Sequence, residues 1–409
     1  MNNQNNSPLN DIKVLDVSRI LAGPSCTQLL GDYGADIVKV ERPGTGDDTR
    51  KWGPPYVTDE AGKESTESAY YLSANRNKRS ITIDMSKPEG QELVRKLAVE
   101  SDIFIENFKV GGAKKLGIDY DTLKAINPRL IYCSITGFGQ TGPYAPRPGY
   151  DFMIQSMGGI MSLTGPTDGD PFKVGVGIAD LMCGMYACSA ILSAMHHREK
   201  SGKGQYIDVA LFDSQIAWLV NSAQNYLTSG KEPQRYGNGH PSIVPYEIFP
   251  SSDGHFALAV GNDGQFKALC RVIGHPEIAE DEKYSTNRHR VHNRKQLISI
   301  LRKILVEQTT DHWLEKCEAN GIPSSPVNSV KQVFDDPQVA ARDMKISMPH
   351  PDAGGLDIDL IGNPVKFSET PVSYRRAPPK MGQHTDEILQ EVLGLSEIEI
   401  QKYRNQEII

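Results

Sequence analysis

Short, almost wholly apolar runs alternate with amphipathic stretches through the first half of the chain. Ile12–Val17 (IKVLDV), Asp36–Glu41 (DIVKVE), Arg79–Asp84 (RSITID), Asp102–Asn107 (DIFIEN), Leu130–Thr136 (LIYCSIT) and Gln205–Leu211 (QYIDVAL) read as strands, most of them buried. Between them the pattern predicts helices from Pro24 to about Tyr33, over Ser86–Ala98, over Gly111–Leu116 and Tyr120–Ile126, and over the Met-rich Asp151–Met161. Pro24 suits a first helical position because its ring presets φ and its missing N–H is not needed there. Strand, helix and strand within Ile12–Glu41 imply a βαβ unit with a right-handed crossover. Repetition of that alternation implies an α/β fold with a doubly wound, Rossmann-like parallel sheet. The stretch from Arg42 to Tyr70 is rich in Gly, Pro and charge and is expected to be an irregular excursion.

The most organised stretch is Val174–Gln205. Gly175 and Gly177 lead to Asp180, then Leu181–Met195 run without a charge, and His196, His197, Arg198 and Lys200 precede Gly202. An acid at the start and bases at the end suit the helix macrodipole. The uncharged run is short against the ~20 apolar residues of a membrane span, so a core helix, buried on most sides, is expected. On spacing alone Asp180 reads as an N-cap or first-turn acid. The adjacent His196 and His197 diverge around a helix and form no two-His metal face.

A helix is expected over Ser214–Tyr226, and then the texture changes. Gly237–Val244 reads as a loop, and Tyr246–Phe249 with His255–Val260 as a hairpin around Ser-Ser-Asp-Gly. Gln265–Ile273, Arg294–Glu307 and His312–Asn320 follow as helices. Ser329–Arg376 is expected to be irregular, and helices over Thr385–Leu393 and Ser396–Asn405 to be capped by Thr385 and Ser396. The domain expectation is a large domain over 1–215 completed by 375–409, a smaller α+β domain over 216–325, and an irregular return over 326–374.

Composition narrows the function. A net charge of −7 over 409 residues argues against a general nucleic-acid surface. Six cysteines (26, 133, 183, 188, 270 and 317) show no CxxC spacing, which implies buried thiols in a reducing compartment, without disulfides or zinc. The polar start MNNQNNSPLN has no apolar core, so a short frayed start on a cytoplasmic protein is expected, with no membrane role. The Arg19–Gly23 loop after the first strand lacks GxGxxG, and GxxxxGK[ST], HExxH and GxSxG at a strand–helix elbow are missing from the chain, so NAD, a P-loop nucleotide and zinc hydrolysis are not favoured. What remains are polar and basic strand-end loops: Arg19–Pro24, Glu41–Gly46, Asn107–Lys109 and Thr136–Gly142. Each reads as a tight α/β turn by itself. A parallel sheet brings such loops to one edge, where with Lys114 and Lys115 they would suit a phosphate-bearing ligand.

The wording of these segments resembles a known family. LDVSRILAGPSCTQLLGDYGADIVKVERPGTGDDTR, NKRSITIDMSKPEG, ENFKVGG, LGIDY, LIYCSITGFGQTGPY, VGVGIADLMCGMYA, SGKGQYIDVALFD, GIPSSPV and GQHTDEIL, in this order, are similar to class III CoA-transferases. That family includes formyl-CoA, carnitine and succinyl-CoA–dicarboxylate CoA-transferases. The resemblance runs from Ile12 to about Leu395.

The resemblance implies a CoA-transferase with Asp180 as nucleophile, attacking a donor acyl-CoA to pass through a mixed anhydride and an enzyme-bound CoA thioester. No tightly bound cofactor and no metal are expected; CoA and acyl-CoA act as substrates. The family's CoA contacts fall on Ile20, Leu21 and Ala22, on Arg42, on Ile83, Asp84, Met85 and Ser86, on Asn107, Phe108 and Lys109, and on Lys115. Thr136 joins them from the strand-end loops. Leu21 replaces a glutamine of the formyl-CoA enzyme, and the Gly-rich loop of that enzyme is missing near Asn238–Pro241, which counts against oxalate and formyl-CoA. The wording is closest to transferases for succinyl-CoA and C4 or C5 dicarboxylates. The alternative is an α-methylacyl-CoA racemase or epimerase of the same superfamily. Those enzymes place a His where Tyr150 stands, and losing that proton carrier favours transfer. Arg147 is a candidate partner for a second carboxylate, or a solvated loop arginine. The family's members are interlocked homodimers, so self-association is expected.

Overall fold

The computed structural model describes residues 7–409. The expected frayed start falls partly on residues 1–6, outside the described residues. From Ser7 the chain turns, Leu9 is buried, and its N–H donates to Tyr33 O at 3.0 Å.

In chain order the first half runs β1 (Lys13–Asp16), α1 (Ala22–Asp32), β2 (Asp36–Glu41), β3 (Tyr56–Thr58), β4 (Glu64–Ser68), α2 (Ala69–Leu72), β5 (Lys78–Thr82), α3 (Pro88–Val99), β6 (Ile103–Glu106), α4 (Gly112–Lys115), α5 (Tyr120–Ile126), β7 (Ile131–Thr136), α6 (Asp151–Met157), α7 (Ile160–Leu163), α8 (Ile178–Ser201), β8 (Tyr206–Ala210) and α9 (Leu211–Ala217). Then follow α10 (Val220–Ser229), β9 (Tyr246–Pro250), β10 (His255–Ala259), α11 (Asp263–Val272), α12 (Glu277–Glu280), α13 (Asn287–His292), α14 (Arg294–Leu305), α15 (Thr310–Ala319), β11 (Ser324–Pro326), α16 (Val330–Asp335), α17 (Pro337–Ala341), β12 (Lys345–Pro349), β13 (Asp357–Ile361), α18 (Thr385–Leu393) and α19 (Glu397–Asn405).

The chain divides into two units. The larger comprises the described residues through Gly159, Val174–Asn221 and Gln338–Ile409; the smaller is Ile160–Lys173 with Ser222–Pro337. The larger unit carries an all-parallel six-stranded sheet in the order β5-β2-β1-β6-β7-β8, which is the doubly wound order of dinucleotide-binding folds. Five of the six strands are buried along most of their length, as strands covered by helices on both faces must be. One face packs on α1 and α8 through Ile37, Ile105, Cys133, Ala187 and Ile191. On the other face Val38, Ile81, Leu93 and Phe104 share a core with Ile388, Leu389, Ile400 and Ile408. The N–H of Asp84 donates to Ile408 O at 2.7 Å. The far end of the chain is therefore part of the first sheet's core.

Helix α8 ends where expected, at Gly202, whose φ of 72° gives the left-handed C-cap. It is long and apolar enough to cross a membrane by length and composition, yet one side of it is core. Gly184 lets it touch α1 directly, since a Cβ there would lie 2.6 Å from Ala22 O. It is less enclosed than the uncharged run suggests: Met185, Tyr186 and Leu192 are exposed.

Five expectations need correction. Asp151–Met161 is two helices, because Gly158 and Gly159 intervene and Gly159 takes φ 88°. Ser214–Tyr226 is likewise broken, between Ala217 and Val220. Arg42–Tyr70 holds a β3–β4 hairpin, and Ser329–Arg376 holds α16, α17 and a β12–β13 hairpin. Thr385 is the first residue of α18 and caps nothing; its hydroxyl donates to Gly382 O, whereas Ser396 does cap α19 in a reciprocal box with Glu399.

The smaller unit packs an antiparallel β11-β10-β9 sheet against α11, α14 and α15 through Phe249, Phe256, Leu258, Phe266, Leu297 and Trp313. Arg290 is fully buried there. It donates to Val244 O, Tyr284 O and Asp263 Oδ1 at 2.7, 3.0 and 2.8 Å.

Candidate active site

The strand order reverses between β1 and β6, and in open α/β sheets ligands bind beyond the carboxyl ends of such strands. The loops that follow these two strands are tied together. Asn107 Oδ1 accepts the N–H of Arg19 at 3.1 Å, and Asn107 Nδ2 donates to Arg19 O at 2.7 Å. The next residue, Ile20, takes φ 75°, a conformation rare for a β-branched side chain and costing about 1–3 kcal/mol. Its N–H is held by both carboxylate oxygens of Asp47 at 3.2 Å. Asp47 is in turn paired with Lys39 at 2.9 Å, both buried, and Lys39 Nζ donates to Ser18 O at 2.9 Å. Burial alone would raise Asp47, but Lys39 and the Thr49 hydrogen bonds outweigh it and hold the carboxyl down to about 2. Lys39 stays above its ordinary value because Asp47, Asp16 and Glu41 together outweigh its burial.

Asp180 is the third residue of α8, after the N-cap Gly177. A helix N-terminus favours an ionised carboxylate, yet here burial, then the neighbouring Asp151, push it up to about 7. No hydrogen bond from the described residues relieves it. Tyr70 is nearby: its hydroxyl is pushed up to about 12 by burial, then by Asp180, Asp151 and Asp47. The Tyr70 ring meets Trp52 edge to face at 5.2 Å.

Asp180 opens on a cavity of about 300 Å³ that brings together Ile20, Ala22, Asn107, Phe108, Lys109 and Thr136. Arg147 and Tyr150 line the same cavity. A second cavity of about 480 Å³ holds Arg42 and Met85 and shares Arg19, Asp48, Trp52 and Phe108 with the first. Other expected residues stand back from both. Leu21 is buried against the N-cap of α8, where a Cβ on Gly177 would come within 3.0 Å of its Cδ2. Ile83 is fully buried core, and Asp84 accepts the N–H and hydroxyl of Ser86 in a local turn. Lys115 is exposed at the end of α4 and lines neither cavity; its neighbour Lys114 lines a third, with Glu106 and Tyr132. A wider cavity, about 1320 Å³, is walled within the smaller unit by residues such as Arg235, Arg294 and Lys303, and none of the expected residues lines it.

Trp52, Tyr70, Asp48 and Asp151 were not among the expected site residues. The first three lie in or beside the Gly- and Pro-rich excursion, where no periodicity marks a buried side chain. Asp151 carried a signal, as an acid opening a helix after Gly149-Tyr150. Among the described residues no group of three or more His, Cys, Asp or Glu side chains is placed to hold a metal ion.

The parallel-sheet fold agrees with that of known proteins. The chain belongs to CoA-transferase family III, whose family model matches residues 9–385, and it is an enzyme of that class. It is 48% identical over 385 residues to a succinate–glutarate CoA-transferase of Agrobacterium fabrum, covering 94% of this chain and 96% of that one. To the human succinyl-CoA:glutarate CoA-transferase it is 45% identical, covering 95% and 87%. Its structure is similar to that of a CAIB/BAIF family protein from Brucella suis, with TM-score 0.84 and 50% identity over 95% of this chain and 100% of that one.

Proposed function

We propose that this enzyme moves CoA from succinyl-CoA, or a similar dicarboxyl-CoA, to a dicarboxylic acid. The observation that carries the reading is Asp180, buried, unpartnered and opening on the cavity that gathers Ile20, Ala22, Asn107–Lys109 and Thr136. The names of the relatives from Agrobacterium fabrum and human supply the substrate class.

In this reading an Asp180 oxygen attacks the donor thioester, the C–S bond breaks, and a mixed anhydride and CoA thiolate result. The thiolate attacks the aspartyl carbonyl and expels the donor acid, leaving an aspartyl-CoA thioester. The acceptor carboxylate attacks that carbonyl, re-forming an anhydride and releasing thiolate. The thiolate then attacks the acceptor's acyl carbon, giving the new acyl-CoA and free Asp180 carboxylate. No net proton is consumed, and the relay divides one hard exchange into easier steps. Arg42, Met85, Phe108 and Lys109 are assigned to CoA, and Arg147 to the distal carboxylate of the acid. Tyr150, in the position where the racemases carry a His, leaves α-proton exchange without its second carrier.

CoA binding is assigned to residues 1–215 completed by 375–409, with 216–325 as a separate α+β domain and 326–374 as the returning connection. An interlocked homodimer is supported by apolar side chains left exposed on α6 and α8, among them Phe152, Met153, Met185 and Tyr186. Six unpaired, buried cysteines suit a reducing cytoplasm.

The test is a panel of acyl-CoA donors against mono- and dicarboxylic acids, with mass spectrometry of the CoA products. Succinyl-CoA with a C4 or C5 dicarboxylate is expected to give the new dicarboxyl-CoA. Exchange confined to monocarboxylates, or deuterium entering the α-carbon with no acceptor present, would reject the proposal.

A further inference from the structure

The carboxylate of Asp151 reaches beyond its own helix. Its Oδ1 accepts the N–H of Ala179 at 2.8 Å, and its Oδ2 accepts Nε2 of Gln155, one turn further along α6, at 2.8 Å. Gln155 is fully buried, and the rest of its amide is given to the chain entering α8. Nε2 also donates to Val176 O at 3.3 Å, and Oε1 accepts the N–H of Val174 at 2.8 Å. Two side chains at i and i+4 of one helix thereby hold three backbone groups of the segment that ends at the nucleophile.

The start of α8 needs such help. Its N-cap is Gly177, which has no side chain to accept the first free N–H groups. A Cβ at that position would lie 3.0 Å from Leu21 Cδ2, tight for any capping side chain. The cap is supplied from α6 instead.

We propose that Asp151, braced by Gln155, is a positioning residue of the transfer reaction: through the N–H of Ala179 it fixes the turn that aims Asp180 into its cavity. This rests on Asp180 being the nucleophile. Asp151 also acts through its charge. After burial itself, it is what keeps the Asp180 carboxyl high, and a more basic carboxylate attacks a thioester more readily once ionised. Other groups face Asp180 as well. Tyr70 of α2 and Cys183 of α8 interact with it, and Asp213 of α9 acts with it on Cys183. Arg19, Asp48, Lys109 and Arg147 come from the loops around the same cavity. Of all these, Asp151 is the one whose charge moves Asp180.

Steady-state acyl exchange followed from about pH 5 to 9 separates the two effects. Asp151→Asn keeps an oxygen for Ala179 and loses the charge; the acid limb of kcat/KM is expected to move down by roughly one pH unit, with KM for acyl-CoA unchanged. Gln155→Met keeps the charge and loses the brace; kcat is expected to fall roughly 10- to 100-fold with the acid limb in place. An acid limb in Asp151→Asn that coincides with wild type, or full kcat in Gln155→Met, overturns the proposal. If Asp151→Asn does not fold, judged by circular dichroism, Gln155→Met decides by itself on the same criterion. Hydroxylamine trapping on the wild type, after incubation with acyl-CoA alone, keeps the premise separate. Label at Asp180 beside an unmoved acid limb removes only the role of Asp151, whereas no label at Asp180 removes the nucleophile assignment and this proposal with it.

Discussion

Lys39 and Asp47 form an ion pair at 2.9 Å with both side chains out of solvent, and that pair carries the loop on which Ile20 sits. Charges buried this deeply are held together by mutual need, and breaking one partner costs about 3–5 kcal/mol. Asp47→Ala is therefore expected to lower stability by about that amount in urea denaturation. The double variant Lys39→Met with Asp47→Leu should recover much of the stability. It should not recover KM for acyl-CoA, because the N–H of Ile20 and the carbonyl of Ser18 remain without partners. Recovery of both together would mean that the pair only holds the fold.

Asp180→Ala should abolish exchange, lowering kcat by roughly a thousandfold or more, as loss of a covalent nucleophile does. The measurement is CoA exchange between donor and acceptor, with hydroxylamine labelling as the second readout. Exchange that survives the substitution would require another nucleophile.

The same carboxylate makes stability depend on pH. Its ordinary value is 3.8 and the folded value about 7, so the folded protein prefers it protonated. Below pH 3.8 both states hold the proton and nothing is gained or lost. As pH rises through the interval up to about 7, the unfolded chain ionises freely while the folded one does not, and stability falls, by about 4 kcal/mol in all at 1.36 kcal/mol per pH unit. Asp180→Asn should melt with the wild type near pH 4 and clearly above it at about pH 8. Calorimetry at the two pH values tests this; an equal melting temperature at the higher pH would mean that Asp180 ionises without penalty.

Arg42→Ala should raise KM for acyl-CoA about 10- to 100-fold with little change in kcat, the loss of one charge-assisted hydrogen bond at about 1.5–3 kcal/mol. Lys115→Ala, at a side chain outside both cavities, should leave KM alone. Initial-rate kinetics on the two variants decide between the positions.

Arg147→Ala should cost about 10-fold or more in kcat/KM for a dicarboxylic acceptor and little for a monocarboxylic acid of equal length. The guanidinium rests over the Tyr144 ring at 3.9 Å, so Arg147→Lys should restore only part of the preference. Equal losses with both acids would reduce Arg147 to a loop arginine.

The sheet strands were legible because most are covered on both faces and so appear as nearly unbroken apolar runs such as IYCSIT. The β3–β4 hairpin was not, because β4 is ESTES and carries no alternation. It is held by burying Val57, Tyr71 and Leu72 with Met348, Ile358 and Leu360, partners almost three hundred positions away. The β12–β13 hairpin hid because its strands are short and its partners are equally distant, with Pro349 and Pro351 further masking it. At the site, the spacing around Asp180 is that of an ordinary first-turn acid, and only the wider resemblance singled it out. Lys39 and Asp47 look like surface charges in a linear reading, since nothing local announces that they are buried against one another. Trp52 reaches the cavity, and Tyr70 packs on its ring, from a stretch with no regular period.

The place of Ile388, Leu389, Ile400 and Ile408 in the core beneath the first sheet bears on how the protein is made. A ribosome delivers all six sheet strands long before it delivers these four side chains. Until residues 385–409 emerge, the face that α3 and α5 share stays greasy and only partly covered, a period in which a nascent chain depends on chaperones. Removing even the last few residues would strip Ile408 from that face, so shortened forms should be lost to aggregation before any defect in CoA exchange is seen.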